Sequence, residues 1–448
     1  MADLAVRGGR VVLADGVREA DVLVLAGSIT GIVAPGDGTA AEQIDARGLV
    51  VLPGVVDAHV HVNEPGRTEW EGWTAATRGA ARGGVTTIVD MPLNSIPPTL
   101  DEAAFDAKDT AAGQGAVVDY ALWGGLVRAD RHSLRALVQC GVVGVKAFLC
   151  PSGVGEFGHL ADDELVPALR AAAEAGLLVA AHCEDEATVA RASQAVHGGD
   201  LRAWLDSRPV EAERIAIARL SSAAREAGAR VHVVHVSSAD GLDVVRSARR
   251  AGTDITAETC PHYLGFGASD FSDKGPLLKC APPIRHGTRA RLWAEVLAGR
   301  VEYVASDHSP CSADLKTRGT ADVFAAWGGI TGLQSTLPLM LSEGVHERGM
   351  SLELLAQLLA TRPAKRLGLW PRKGEIRVGT DADLALVDPG REWTLAAGAL
   401  EARSGLSPYV GRRFVGAVER TLVRGRTVFA DGAVTGAPGD GWFVQRTR

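Results

Sequence analysis

Val51-Leu-Pro-Gly-Val-Val-Asp-Ala-His-Val-His61 is an apolar run that closes on two histidines one residue apart. The β-branched residues behind Pro53-Gly54 predict a buried strand. Side chains two apart on a strand share a face, so the imidazoles of His59 and His61 converge on one point. Neutral imidazole is a common ligand for zinc and related cations, and two of them on one rigid strand make half of a metal site. Taken alone, a His-x-His pair is as often a structural or surface feature. Its meaning depends on where the other candidate ligands fall.

Working outward from that strand, further short β-branched runs alternate with helical or loop stretches. The predicted strands are Val55–Val60, Val85–Met91, Val117–Gly124, Val142–Leu149, Leu177–Cys183, Arg230–Ser237, Asp254–Cys260 and Val301–Ser306. Spaced Leu, Ile and Ala among charged residues predict helices over Ala161–Ala175, Val210–Ala227 and Gly287–Ala298. Such alternation makes a parallel sheet, and about eight units close into an α/β fold of the (β/α)8 TIM-type barrel class. On that frame His59 and His61 close the first strand, Lys146 the fourth, His182 the fifth, His235 the sixth and Asp307 the eighth. All six then lie at C-terminal strand ends, the face on which barrel enzymes build their sites.

Lys146 sits in Gly141-Val-Val-Gly-Val-Lys-Ala-Phe-Leu149, where burial favours the neutral amine. An isolated lysine there would more simply pair with a carboxylate. Beside four histidines and an aspartate, its neutral amine is placed to take up carbon dioxide and become N6-carboxylysine, an anionic group able to bridge two cations. Two divalent metal ions per subunit are therefore expected, about 3.5–4 Å apart. Zinc is the leading choice, with iron, cobalt, manganese and nickel as alternatives. A hydroxide shared by the ions would attack a carbonyl carbon, and Asp307 would carry its proton to the leaving nitrogen.

Several segments resemble the cyclic amidohydrolases of the amidohydrolase superfamily, and among them the allantoinases most. They are Pro53 to Trp73, Asp90-Met-Pro-Leu-Asn-Ser-Ile-Pro-Pro-Thr99, Lys146-Ala-Phe-Leu-Cys-Pro-Ser-Gly153, Glu258-Thr-Cys-Pro-His-Tyr-Leu264, Lys279-Cys-Ala-Pro-Pro-Ile-Arg285 and Ser306-Asp-His-Ser-Pro-Cys311. The resemblance covers nearly the whole chain. It implies hydrolysis of the hydantoin ring of (S)-allantoin to allantoate in purine and ureide nitrogen degradation. It also implies metal ligation by His59, His61, carboxylated Lys146, His182, His235 and Asp307, and assembly as a homotetramer. Hydantoinase or dihydropyrimidinase activity on other cyclic amides is the alternative reading, and a non-catalytic assembly protein on the same fold is a remote one, since no ligand is lost.

Departures from the related families narrow the substrate. Dihydroorotases carry an arginine for the substrate carboxylate two residues after the second histidine; here Asn63 stands there. Hydantoinases carry a tyrosine a few residues past the lysine, whereas this chain reads Cys150-Pro-Ser-Gly. Asn94 and Ala281 are candidate substrate contacts, Ala281 through its main chain. His262 ends the seventh strand and either touches the site or is structural. His232 and Cys183 are read as packing, and His308 is expected to face away from Asp307. Arg67, Glu69 and Trp73 are read as parts of a lid loop.

The two ends of the chain form a second unit. Val6 to Gly16 and Val423 to Gly432 echo one another imperfectly and predict paired hairpins, each turning at Asp-Gly. The expected division is residues 1–52 and 374–448 as a composite β-sandwich around a barrel of residues 53–373. A chain of 448 residues with net charge −7 has room for both and no basic footprint for nucleic acid. No apolar run reaches membrane length, no signal peptide is visible, and the six cysteines are scattered. Together these point to a cytoplasmic enzyme acting on a small cyclic ureide.

Overall fold

The computed structural model describes residues 1–447. The barrel strands are β1 (Val55–Val60), β2 (Val85–Asp90), β3 (Asp119–Leu122), β4 (Val145–Phe148), β5 (Leu178–His182), β6 (Arg230–Val233), β7 (Ile255–Thr259) and β8 (Tyr303–Val304). One parallel ladder joins β1, β2 and β3; a second runs from Gly124–Gly125 through β4 to β8. The two ladders are continuous across Trp123, whose amide donates to Asp90 while the Gly124 amide donates to Gly144. The other seam closes where the His61 amide donates to the His308 carbonyl at 2.8 Å. Each expected strand is present, but most are shorter than the apolar runs that announced them. The runs continue past the ladder into the loops that carry the site.

One core cluster fills the barrel. It includes Val56 and Ala58 of β1, Val89 of β2, Ala121 of β3, Leu178 and Ala180 of β5, and Tyr303 of β8. Trp123 ties this interior across the strands by donating from Nε1 to the Ala58 carbonyl at 3.0 Å. A second, larger cluster packs the outer strand faces against the helices. The expected helices appear as Asp162–Glu174, Val210–Ala227 and Arg289–Leu297. The long helix stops where Gly228 turns left-handed at φ +67°, and the Gly228 amide caps the Ala224 carbonyl.

The chain ends build one nine-stranded sheet. Its join is the antiparallel pairing of Val50–Pro53 with Leu384–Val387. A separate core of residues such as Val6, Val22, Ile29, Leu386 and Leu422 lies within it. The C-terminal hairpin turns at Asp431-Gly432, both at positive φ, as the Asp-Gly signal implies. The N-terminal hairpin departs from the expected Asp-Gly turn: Gly16 already pairs with Leu13, so the two turn residues are Ala14-Asp15. Among the described residues, no helix is long and apolar enough to cross a membrane.

Candidate metal centre

His59, His61, Lys146, His182, His235 and Asp307 all line one cavity of ≈ 380 Å³. On β1 the register breaks between Asp57 and Val60, so Ala58 packs in the interior while His59 and His61 after it also turn inward. Their Nε2 atoms lie 3.2 and 3.5 Å from Asp307 Oδ1. Across the cavity His182 Nδ1 faces His235 Nε2 at 3.1 Å. His235 and Asp307 have φ of 40° and 45°. This left-handed backbone is uncommon for residues other than glycine and costs about 1–3 kcal/mol each, which the packed surroundings must offset. Here it ends two strands and aims two side chains into the cavity.

Carboxylates behind the histidines fix which nitrogen is free. Glu258 Oε1 lies 2.5 Å from His59 Nδ1, leaving Nε2 toward Asp307. Glu184 Oε2 accepts from His182 Nε2 at 2.8 Å, leaving the Nδ1 lone pair toward His235. The same Glu184 carboxylate accepts from Arg208 Nη2 at 2.6 Å. Burial would push both glutamates up, but Arg208 and His182 hold Glu184 well below the usual carboxylate range, and His59 and His232 do so for Glu258. Ligand imidazoles oriented by carboxylates on their far nitrogen are typical of metal sites.

Electrostatics leave the donors in the forms that cations need. Burial lowers the pKa of His61, His182 and His235, so the rings are neutral. Burial pushes the Asp307 carboxyl up, yet His59, His61 and His235 outweigh it and hold it well below its usual range. Burial brings the Lys146 amine down to about 8, and its Nζ has no hydrogen-bond partner. A buried amine with no carboxylate bonded to it is poorly explained as a structural ion pair. Buried His61 Nδ1 and His235 Nδ1 are likewise without partners. Neutral imidazoles, a carboxylate and an unpaired amine in one cavity are a donor set suited to a pair of divalent cations.

The remaining candidates fall on both sides. Asn94, at φ 69°, and Ala281 line the cavity. His308 faces away, toward Glu71 at 3.3 Å and the Gly332 amide. Cys183 is buried in the outer core. His262 is buried near Asp307 with Nε2 unpartnered, and burial pulls it down to about 4. Two readings need correction. His232 is no mere packing residue: it bonds Thr256 and Glu258, because β6 ends at Val233 and the turn at His235 breaks the alternation that would have set the two histidines on opposite faces. Trp73 is not a lid residue: it opens the helix Trp73–Arg82, is fully buried and packs 5.1 Å from Tyr120. The nearby Trp70 does approach the mouth, edge-on to the cavity-lining Trp327 at 4.7 Å.

Sequence reasoning passed over Arg208, Trp204 and Lys279, which complete the walls, and Glu184 and Glu258 behind them. Glu258 stood inside a recognised motif, and its place one residue before the end of β7 was the available signal. Lys279 likewise opened a recognised motif, while Glu184, Arg208 and Trp204 carry no local pattern. In the Cys150-Pro-Ser-Gly segment past Lys146, Pro151 and Ser152 line the cavity, and the Ser152 hydroxyl is engaged with the Val154 and Phe157 carbonyls of its own loop.

The Amidohydrolase family model matches residues 50–428. An allantoinase of Rubrobacter xylanophilus is 48% identical, covering 100% of this chain and 98% of its own. An allantoinase of Solibacter usitatus is 46% identical over 97% of this chain and 95% of its own. Among solved structures, the L-hydantoinase (dihydropyrimidinase) of Arthrobacter aurescens superposes with a TM-score of 0.97 at 36% identity, with 100% of both chains covered. The dihydropyrimidinase of Brevibacillus agri gives 0.91 at 30% identity, covering 99% of this chain and 98% of that one. With the barrel, the six converging side chains and these likenesses together, the chain belongs to the amidohydrolase family.

Proposed function

We propose that this protein hydrolyses the hydantoin ring of allantoin to allantoate. The observation that carries the reading is the 48% identity to an allantoinase along the whole chain, with all six candidate ligands in one cavity. Hydantoinase or dihydropyrimidinase activity is the second reading, favoured by the likeness of fold to those enzymes. The higher identity to allantoinases and the absence of the hydantoinase tyrosine speak for the first.

His59, His61 and Asp307 would hold one cation, His182 and His235 the other, and carboxylated Lys146 both. Its neutral amine would add to the carbon of carbon dioxide: the N–C bond forms as one C=O π pair moves onto oxygen, and the nitrogen gives up a proton to solvent, leaving the carbamate. Bound there, two divalent cations, zinc in our reading, supply Lewis acidity at the carbonyl and lower the pKa of water. Asp307, ionised at neutral pH, accepts the proton of the attacking water on its carboxylate and returns it to the ring nitrogen as the amide bond breaks. Ser309 Oγ lies 3.2 Å from Asp307 Oδ1 and steadies that carboxylate. Asn94 and the Ala281 main chain are the proposed contacts to the ureide. The division at residues 53 and 374, the homotetramer and the cytoplasmic location belong to the same proposal.

The test is ring opening by metal-analysed protein on allantoin, hydantoin and dihydrouracil. Allantoin is expected to give the largest kcat/KM. A larger value for hydantoin or dihydrouracil would favour the second reading.

A further inference from the structure

Behind the cavity wall, one buried carboxylate serves two of the candidate ligands. Glu258 Oε1 lies 2.5 Å from His59 Nδ1 and also accepts from the His235 amide at 3.3 Å. Its other oxygen, Oε2, lies 3.1 Å from Nε2 of His232. The second nitrogen of that ring, Nδ1, is 2.7 Å from Thr256 Oγ1. His232 is fully buried and stacked on Tyr303, with ring centres 4.7 Å apart and planes at 14°. None of these groups except His59 and His235 reaches the cavity.

Donor and acceptor roles along this row follow from what each group can do. An ionised carboxylate only accepts, so both histidines must donate to Glu258, His59 from Nδ1 and His232 from Nε2. A neutral His232 then has only a lone pair on Nδ1, and the Thr256 hydroxyl must donate to it. The row runs in one direction, from the Thr256 hydroxyl through His232 to Glu258, with His59 donating from the other side. His59 is left with a lone pair on Nε2, the atom that faces Asp307. Without His232, Glu258 Oε2 would lose its histidine donor, and the carboxylate could turn toward the nearby Tyr303 hydroxyl and present its other oxygen differently to His59.

We propose that His232 is a positioning residue that acts through Glu258 to fix the tautomer and orientation of His59, and so sets how tightly the centre holds the cation on His59. The inference rests on the assignment of His59 as a cation ligand. Outer partners of metal-bound histidines alter affinity by about 10–100-fold, so the effect is measurable apart from turnover.

The test is zinc affinity of the metal-free full chain, measured by competition with a chelator, for wild type, His232→Phe, His232→Gln and Thr256→Val. Glutamine can donate to Glu258 and accept from Thr256, whereas phenylalanine keeps only the stacking on Tyr303. His232→Phe is expected to raise the apparent Kd about 10–100-fold. His232→Gln should return it to within about threefold, and Thr256→Val should fall between. A folded His232→Phe with wild-type affinity would overturn the proposal, as would His232→Gln binding as weakly as His232→Phe. Should His232→Phe fail to fold, unchanged affinity in Thr256→Val would overturn it. Wild-type protein that binds no zinc at all would fail the ligand assignment itself.

Discussion

Asp307 Oδ1 stands 3.2 Å from His59 Nε2, across the seam where the last barrel strand meets the first. Neither side chain reaches this point by regular strand geometry, since β1 breaks register before His59 and Asp307 sits at φ 45°. Asp307→Asn keeps an oxygen that can coordinate but loses the proton-accepting charge. Metal content is expected to stay near wild type while kcat falls by at least about a hundredfold. Metal analysis and steady-state kinetics on the same sample check this, and a variant with near wild-type kcat would remove Asp307 from the proton path.

Lys146 carries the second prediction. Lys146→Ala should lose metal and activity together, and a small carboxylic acid added with metal should restore part of both. In the wild type, only the neutral amine reacts with carbon dioxide, and burial brings that amine down to about 8. Reactivation of metal-free protein at constant dissolved carbon dioxide should therefore speed up about tenfold per pH unit below that value and level off above it. A rate independent of pH would contradict carboxylation at this lysine.

The Glu184 and Arg208 pair makes a third case. Arg208→Met leaves the Glu184 charge buried, with His182 as its remaining partner, and should cost about 3 kcal/mol of stability in the metal-free protein. Because Glu184 is held below the usual carboxylate range, its contribution is present above the unfolded value near pH 4.5 and is lost as pH falls toward the folded value. The gap between wild type and variant, read from denaturant melts, should thus shrink from pH 7 to about pH 3. A gap that widens in acid would contradict the sign of the shift.

Trp73 gives the fourth. Its full burial against Tyr120 makes it a core residue, so Trp73→Ala should cost about 3–5 kcal/mol while KM stays unchanged. A large rise in KM with little loss of stability would restore it to the substrate lid.

The barrel was legible because each strand lies in a short apolar run, most of them rich in β-branched residues, and β1 matches its run residue for residue. The six candidate ligands were legible as a group because they lie in or just after those runs, and the structure brings them to one cavity. What stayed hidden depends on backbone turns and distant partners. The turn at His235 lets His235 line the cavity while His232 bonds Glu258 behind it, which strict strand alternation forbids. Glu184 finds Arg208 on the far side of two helices, and no local spacing records such a pairing. Trp73 was misplaced because the helix begins at that residue, so a segment that reads as loop ends in the core.

The most direct test of the centre is anomalous diffraction from crystals of the metal-loaded enzyme. Two cation peaks are expected, one among His59, His61 and Asp307 and one at His182 and His235, with added density on Lys146 Nζ. A single peak, or an unmodified Lys146 beside two fully occupied peaks, would contradict the two-metal carboxylysine centre.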